Sequence, residues 1–421
     1  MPKALPTALL RPAAGTVPVR HKVPLTQPLR HARYRRLWLA NLVSNLGTWI
    51  QTFAAAWLVA SLSQSAAITS LVQTATYVPV LMFALFAGVI ADAVHRPRFL
   101  FFCNLFNALC AAAMALLVWS GKVSSGPVLA ITFCLGIGTA FIWPAWQAAM
   151  ASLIEPEEVE ATATLNNLSY NLSAIAGPAL GGLLFGWIGP GALFLANALS
   201  FVGLLSVYWL WWREHEPQPV ARERFATRFR LGVDSALGCA RYRRILRNVC
   251  SVFFATIAFA SLLPVFVREV LHMRADTYGT LMGCLGGGAV LAAFFLPQVR
   301  ARVDRTGLLA GALLVYGAML LAMPFTRSLT LLAPLIVCGG MAWSATVSTL
   351  NAAAQLSFPT EVRARTLSIY LFVMSGGYVA GSVLWGRVAE TWGVRVALAA
   401  AGVCVVLNAL VLLTGGRKNP I

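Results

Sequence analysis

The chain has 421 residues, 59% hydrophobic and only 11% charged, with a mean hydropathy of +0.74 and a formal net charge of +18. A soluble globule carries about a quarter charged residues, so a water-soluble enzyme or binding module is excluded. The basic residues are dispersed over short segments between apolar runs, a distribution that suits anionic lipid at one membrane face rather than nucleic acid.

Twelve apolar stretches follow one another, each near the ~20 residues that a helix needs to cross a bilayer. The first six run Leu37 to Leu62, Ile68 to Ala91, Phe99 to Trp119, Val128 to Leu153, Ala163 to Trp187 and Ala192 to Trp212. The second six run Val249 to Val267, Tyr278 to Val299, Leu308 to Phe325, Leu331 to Leu356, Leu367 to Trp385 and Val396 to Leu413. Residues 1–36 hold prolines and scattered basic residues, with no apolar run long enough for a signal peptide's core. A disordered basic tail is predicted there, with six-helix bundles over 37–212 and 249–413. The only long polar break, 213–248, joins the bundles. Within it Phe225, Phe229, Val233, Leu237 and Ala240 recur every three or four residues among arginines. That spacing predicts a basic amphipathic helix on the membrane surface. A short tail, 414–421, ends the chain.

Of the 32 Lys and Arg residues, 26 fall on the side of the tails and the linker. Basic residues stay on the cytoplasmic side of short loops, so both termini are predicted cytoplasmic. Two loop sequences recur half a chain apart: VHRPR (Val94 to Arg98) resembles VDRTG (Val303 to Gly307), and PEEVEA (Pro156 to Ala161) resembles PTEVRA (Pro359 to Ala364). The predicted fold is therefore an all-α integral membrane protein, with twelve transmembrane helices in two parallel six-helix repeats. Such repeats place a solute site between the halves.

Several clusters inside the spans carry chemistry. In the first span Asn41, Asn45 and Trp49 share one helical face, with Ser44, Thr48 and Gln51 beside them. Related groups are Trp143, Trp146 and Gln147 in the fourth span, Asn167, Tyr170 and Asn171 in the fifth, and Asn351 with Gln355 in the tenth. Amides in a bilayer need partners or water. These residues are thus candidates either for a cavity holding a bulky, amphiphilic solute or for hydrogen bonds between helices. In GPALGG, Gly177, Gly181 and Gly182 bare the backbone for close helix contact, Gly186 continues the row, and Pro178 removes a donor and invites a bend. The contact is either bendable or a static packing seam.

In the loop GVIADAVHR, Gly88 permits close approach, Asp92 can face a helix N-terminus and Arg96 can reach an acid such as Glu155. That set would latch the cytoplasmic side; the alternative is a simple topology anchor. All fourteen acids lie in loops or at span ends, and no Lys, Arg or His is mid-span. A proton-coupled carrier needs a titratable group whose protonation follows its cycle, and the candidates here are peripheral: Asp92, Glu155, Glu158 and Glu361. Seven of the eight cysteines fall in spans and no C-x-x-C occurs, so neither disulfides nor a metal site is expected. H-E-x-x-H, G-K-[ST] and G-x-S-x-G are absent, which leaves hydrolysis and nucleotide chemistry without residues to use. No cofactor is implied.

GVIADAVHR resembles the G-x-x-x-D-x-x-x-R loop motif of the major facilitator superfamily, and GPALGG resembles the fifth-span motif of its drug and solute antiporters. YRRLWLANLVSNLGTWIQ, PAWQAA and PALGGLL resemble the transmembrane secretion effector branch, to which enterobactin-type siderophore exporters are similar; the likeness covers roughly residues 30 to 414. Three positions depart from the pattern: Ala93 stands where Arg is usual, His95 where Gly is usual, and Ala174 where the branch often has Arg. The first two imply a weaker latch, the third the loss of an anion partner. The resemblance implies a monomeric transporter of the bacterial inner membrane, exporting a siderophore or related metabolite in exchange for protons by alternating access. Multidrug efflux on the same fold is the alternative, and a non-transporting membrane sensor or assembly partner a distant one.

Overall fold

The computed structural model describes residues 24–151, 153–214, 238–358 and 360–416, with the side chains of all of these but 88, 89, 91–93, 148, 151, 156, 360–365, 415 and 416. Most of the expected disordered tail, nearly all of the expected linker helix and the final residues 417–421 lie outside the described residues.

Among the described residues there are eleven helical runs and no strand. They are α1 (Ala32–Leu62), α2 (Ala66–Ala93), α3 (Arg96–Trp119), α4 (Ser125–Ala151), a run Val159–Glu214, α7 (Ala240–Val265), α8 (Ala275–Arg300), α9 (Arg305–Ala322), α10 (Leu329–Gln355), α11 (Thr360–Trp392) and α12 (Val394–Gly416). Gly189, at φ 75° and ψ 168°, breaks the fifth run into α5 (159–188) and α6 (190–214). Positive φ costs glycine nothing, and Pro190 then restarts the helix at a position where no amide donor is needed. This one-residue reversal yields the twelfth helix.

Ten of the eleven runs are long and apolar enough to cross a membrane. The exception is α1, where Asn41, Ser44, Asn45, Thr48, Gln51 and Thr52 dilute the apolar content. A helix this polar is tolerated in a bilayer when protein or water meets its polar groups. Helix starts follow local rules: the Ser65 side chain accepts from the Ile68 amide at the head of α2, and Asp304 caps α9 by accepting from Thr306 and Gly307.

Several boundaries differ from the sequence expectation, among them α11, which runs Thr360–Trp392 rather than Leu367 to Trp385, and the starts of α1 and α7. Helix α1 begins at Ala32 rather than Leu37, after a 3-10 turn at Gln27–Arg30. Tyr34 and Leu37, three apart, are fully buried while Arg33, Arg35 and Arg36 stay exposed, so an amphipathic first turn hides among basic residues. Helix α7 begins at Ala240 rather than Val249, with Tyr242 and Ile245 buried for the same reason.

Each neighbour pairing recurs six helices later. Helix α2 packs on α4 as α8 does on α10, and α3 on α4 as α9 does on α10. Helix α1 packs on α5 as α7 does on α11, and a glycine pair mediates both contacts. A Cβ on Gly177 would strike the Trp49 side chain, and one on Gly181 would lie 2.8 Å from Phe53. In the second half a Cβ on Gly377 would lie 2.8 Å from the Cys250 carbonyl oxygen, and one on Gly381 would strike that of Phe254. Close backbone approach is what holds helices together where lipid removes the hydrophobic drive. Gly186 does not belong to this seam: it is exposed, with open space where its Cβ would be.

We call the end of the bundle where α1 starts basal and the end bearing the α1–α2, α5–α6, α7–α8 and α11–α12 links distal. Exposed Trp119, Trp187 and Trp392 ring the distal end, where aromatic belts sit at a membrane interface.

Overpacking a seam of this kind costs about 1–3 kcal/mol. Gly377→Leu is expected to lower the thermal unfolding midpoint in detergent, while Gly186→Leu leaves it unchanged; equal midpoints for the two variants would contradict the seam.

Candidate functional site

The two halves meet mainly along the helix pairs α2–α11 and α5–α8. On α5, Gly182 faces α8: its Cβ would lie 2.8 Å from the Ala275 carbonyl oxygen, and a Cβ on Gly279 would lie 2.5 Å from that of Pro178. Phe53 stacks on Tyr278 at 4.7 Å and 18°, and Trp57 on the same ring at 5.7 Å and 20°. All three rings are buried. On the other pair, Thr74 Oγ1 lies 2.7 Å from Ser382 Oγ and Tyr77 stacks against Tyr378 at 4.4 Å. Glu390, on α11, accepts from Ser65 Oγ at 2.9 Å and from the Ala67 amide at 3.2 Å, capping the head of α2 across the halves. An Arg268 guanidinium N–H donates to the Ser63 carbonyl at 2.5 Å. These links are gathered between the middle of the molecule and its distal end.

Magnitudes rank them. Each aromatic pair contributes about 0.5–1.5 kcal/mol beyond its burial. The Glu390 contacts are exposed to solvent, where such an interaction is typically worth under about 1 kcal/mol. The Phe53–Tyr278–Trp57 stack therefore dominates the closure, and Glu390 fixes its register.

Toward the basal end the N-terminal half carries polar groups on α1 and α5. On α5, Gly177 and Gly181 face α1, whereas Ile175, Ala179 and Gly182 face α8. At 100° per residue, Asn167, Asn171 and Ala174 point between those directions, into the gap. Asn167 and Asn171 are exposed and make no side-chain hydrogen bond among the described residues. Tyr170 is half exposed and meets Trp49 edge to face at 5.7 Å. On α1, Gln51 and Gly47 face α6, where Gln51 Oε1 accepts from Asn197 Nδ2. Asn41, Asn45 and Trp49 lie on the opposite side of α1, and neither asparagine has a side-chain partner among the described residues. Gln51 is thus helix glue, while the Asn41–Asn45–Trp49 face turns toward α5, with Trp49 against Gly177 and Tyr170.

The other predicted residues divide. Trp143 and Gln147 are exposed, one turn apart on α4, whereas Trp146 packs against the N-terminal bundle's basal core. On α10 the Gln355 side chain donates to Asn351 Oδ1 at 2.9 Å, so these two amides satisfy each other. Of the GPALGG residues, Gly177 and Gly181 pack within the N-terminal half, and Pro178 and Gly182 meet α8 across the halves.

For the expected latch, Gly88 and Asp92 lie in the last turns of α2, and their side chains, like that of Glu361, lie outside the described residues. Arg96 opens α3. Glu155 is exposed and forms no ion pair among the described residues, so the expected Arg96–Glu155 pair is not made. The acid that this loop engages is Glu158, buried with its Oε2 2.8 Å from His31 Nε2. No sequence signal joined these residues, which are 127 positions apart. The glycine pair Gly377 and Gly381 went equally unmarked, although its G-x-x-x-G spacing matches Gly177 and Gly181.

A family model described as transmembrane secretion effector matches residues 24–416. The chain belongs to this family of major facilitator transporters. Among characterised members, it is 22% identical over 382 residues to the staphyloferrin A transporter of Staphylococcus aureus, covering 89% of this chain and 94% of that protein. It is 24% identical over 384 residues to the multidrug efflux pump Tap of Mycolicibacterium fortuitum, covering 88% and 93%. The fold is shared with a bacterial homologue of the human lysosomal transporter Spinster, with a TM-score of 0.72 and 16% identity, covering 93% of this chain and 98% of that one. A bacterial homologue of the iron transporter ferroportin gives a TM-score of 0.70 at 13% identity, with 90% and 97% covered. The secretion effector chain thus has the major facilitator fold of two six-helix repeats.

If the ranking of the closure contacts is right, Tyr278→Ala opens the distal end more than Glu390→Gln. In a Thr74→Cys/Ser382→Cys background, mild oxidation is expected to form a disulfide quickly. Adding Tyr278→Ala should slow it severalfold and adding Glu390→Gln less than twofold; the reverse order would refute the ranking.

Proposed function

We propose that the protein is a secondary active exporter of the bacterial inner membrane, moving a small amphiphilic solute by alternating access. The observation that carries this reading is the contrast between the two ends of the interface. Distally, stacked rings and bare glycine backbones join the halves; basally, Asn41, Asn45, Trp49, Asn167, Tyr170 and Asn171 give α1 and α5, in the N-terminal half's wall, amides and aromatic faces. Aromatic surface with a few hydrogen-bonding groups suits a partly apolar solute. With the basic segments on the cytoplasmic side, the basal end is cytoplasmic, both termini lie there, and the state is the one that loads from the cytoplasm.

The glycine seam of Gly177, Pro178, Gly181 and Gly182 gives the halves a surface on which to rock. Gly88, Asp92 and Arg96, with Glu155 as the acid, form the latch that closes the cytoplasmic side in the opposite state. An unengaged Glu155 accords with that role. The two bundles, 37–212 and 249–413, move as units joined by the linker 213–248, with 1–36 and 414–421 as cytoplasmic tails and the protein acting as a monomer.

Proton antiport supplies the drive, through peripheral acids, because no Asp, Glu, Lys, Arg or His lies mid-span. Asp92, Glu155, Glu158 and Glu361 are the candidate acids for it. A siderophore or related metabolite is the favoured solute, by likeness to the staphyloferrin A transporter; likeness to the Tap pump supports multidrug efflux as the second reading.

The test is uptake into inverted proteoliposomes holding the purified protein, with and without an inward-acid gradient, using a siderophore panel and a dye panel. Gradient-dependent uptake is expected. The double variant Asn45→Leu/Asn171→Leu should lower it about thirtyfold, in keeping with two lost hydrogen bonds of ~1 kcal/mol each. Uptake indifferent to the gradient would replace antiport by facilitated diffusion, and accumulation of dyes alone would favour the multidrug reading.

A further inference from the structure

On the outer surface of the N-terminal half, away from the cleft, α3 and α6 leave an open groove of about 420 Å³, lined by Phe101, Val202, Leu205, Ser206, Trp209 and Leu210. Apart from Ser206, whose hydroxyl donates to the Gly203 carbonyl, the lining is apolar. At its basal rim Phe101, Phe102, Trp209 and Trp212 form a cluster of rings, with centroid separations of 5.4–6.0 Å between Trp209 and Trp212, Phe101 and Phe102, and across the helices. Arg98, one turn before these phenylalanines, places its guanidinium carbon 5.3 Å from the Trp212 ring centre and 5.9 Å from that of Phe102. It is exposed and has no carboxylate partner among the described residues.

The geometry points to a binding site for one anionic glycerophospholipid, its acyl chain in the α3–α6 groove and its phosphate on Arg98. The argument is charge complementarity joined to shape. Stacking on aromatic faces uses the plane of a guanidinium and leaves its N–H edges free, and those edges match a phosphate in bidentate fashion. The groove opens on the outer face of membrane-crossing helices, where hydrocarbon chains are the surrounding medium. A fixed cation at the rim of an apolar groove between spans selects anionic over zwitterionic headgroups. Trp209 and Trp212 supply the interfacial rings that hold such a headgroup at depth.

The test is native mass spectrometry of the purified full-length protein, titrated with phosphatidylglycerol or with phosphatidylcholine of the same chains. The wild type is expected to retain phosphatidylglycerol about fivefold better, the equivalent of ~1 kcal/mol for one basic residue at the surface. Arg98→Gln should abolish that preference, Arg98→Lys should keep part of it, and Arg274→Gln, at the distal end, should leave it intact. Val202→Trp, which fills the groove, should lower retention of both lipids while the protein still unfolds at the wild-type temperature. Equal retention of the two lipids by the wild type, or an undiminished preference in Arg98→Gln, overturns the site. Displacement of the lipid by glycerol phosphate alone does so too, by assigning Arg98 to a soluble phosphate.

Discussion

In hydrocarbon a helix gains nothing by hiding an apolar face, because lipid is as apolar as the neighbouring helix. Helices in this protein must therefore be held by close approach of their backbones and by the few polar groups they share. Gly177 and Gly181 against α1, and Gly377 and Gly381 against α7, meet that constraint twice with the same spacing. The repeat is thus present in the physics of contact as well as in the order of the helices. Gly182 and Gly279 extend the same device across the halves.

Placing a glycine seam and an aromatic stack toward one end of the interface has a consequence for the other. Where backbones touch, side chains are excluded; where they diverge, side chains must meet water or a solute. The amides of Asn41, Asn45, Asn167 and Asn171, basal of the seam, lack partners among the described residues. Gln51, Asn351 and Gln355 are the same chemical kind yet each shares a hydrogen bond with a neighbouring amide. Residue type alone does not separate a solute contact from interhelical glue; direction on the helix does.

Buried charge is handled with equal economy. The acids lie off mid-span, and the single buried carboxylate in the described core, Glu158, is paired with His31. A charge kept from water needs a partner, and here the partner comes from the segment preceding α1. That pairing ties down a stretch whose basic composition reads as a free tail, and the loop acid with the more conspicuous motif, Glu155, remains in solvent.

Composition and apolar run length were enough to establish an all-helical membrane protein with two similar halves, because the bilayer fixes both the length and the polarity of anything that crosses it. The GPALGG seam was legible for a related reason, since proline and clustered glycine have few other uses inside a span. What folding alone decided was direction and distance: which face of α1 meets α5 and which meets α6, that Gly181 and Gly182, adjacent in the chain, serve different partners, and that His31 meets Glu158 of the acidic loop. Those outcomes depend on how a 100° turn per residue falls against a particular neighbour, and that neighbour lies more than ninety positions away in the chain.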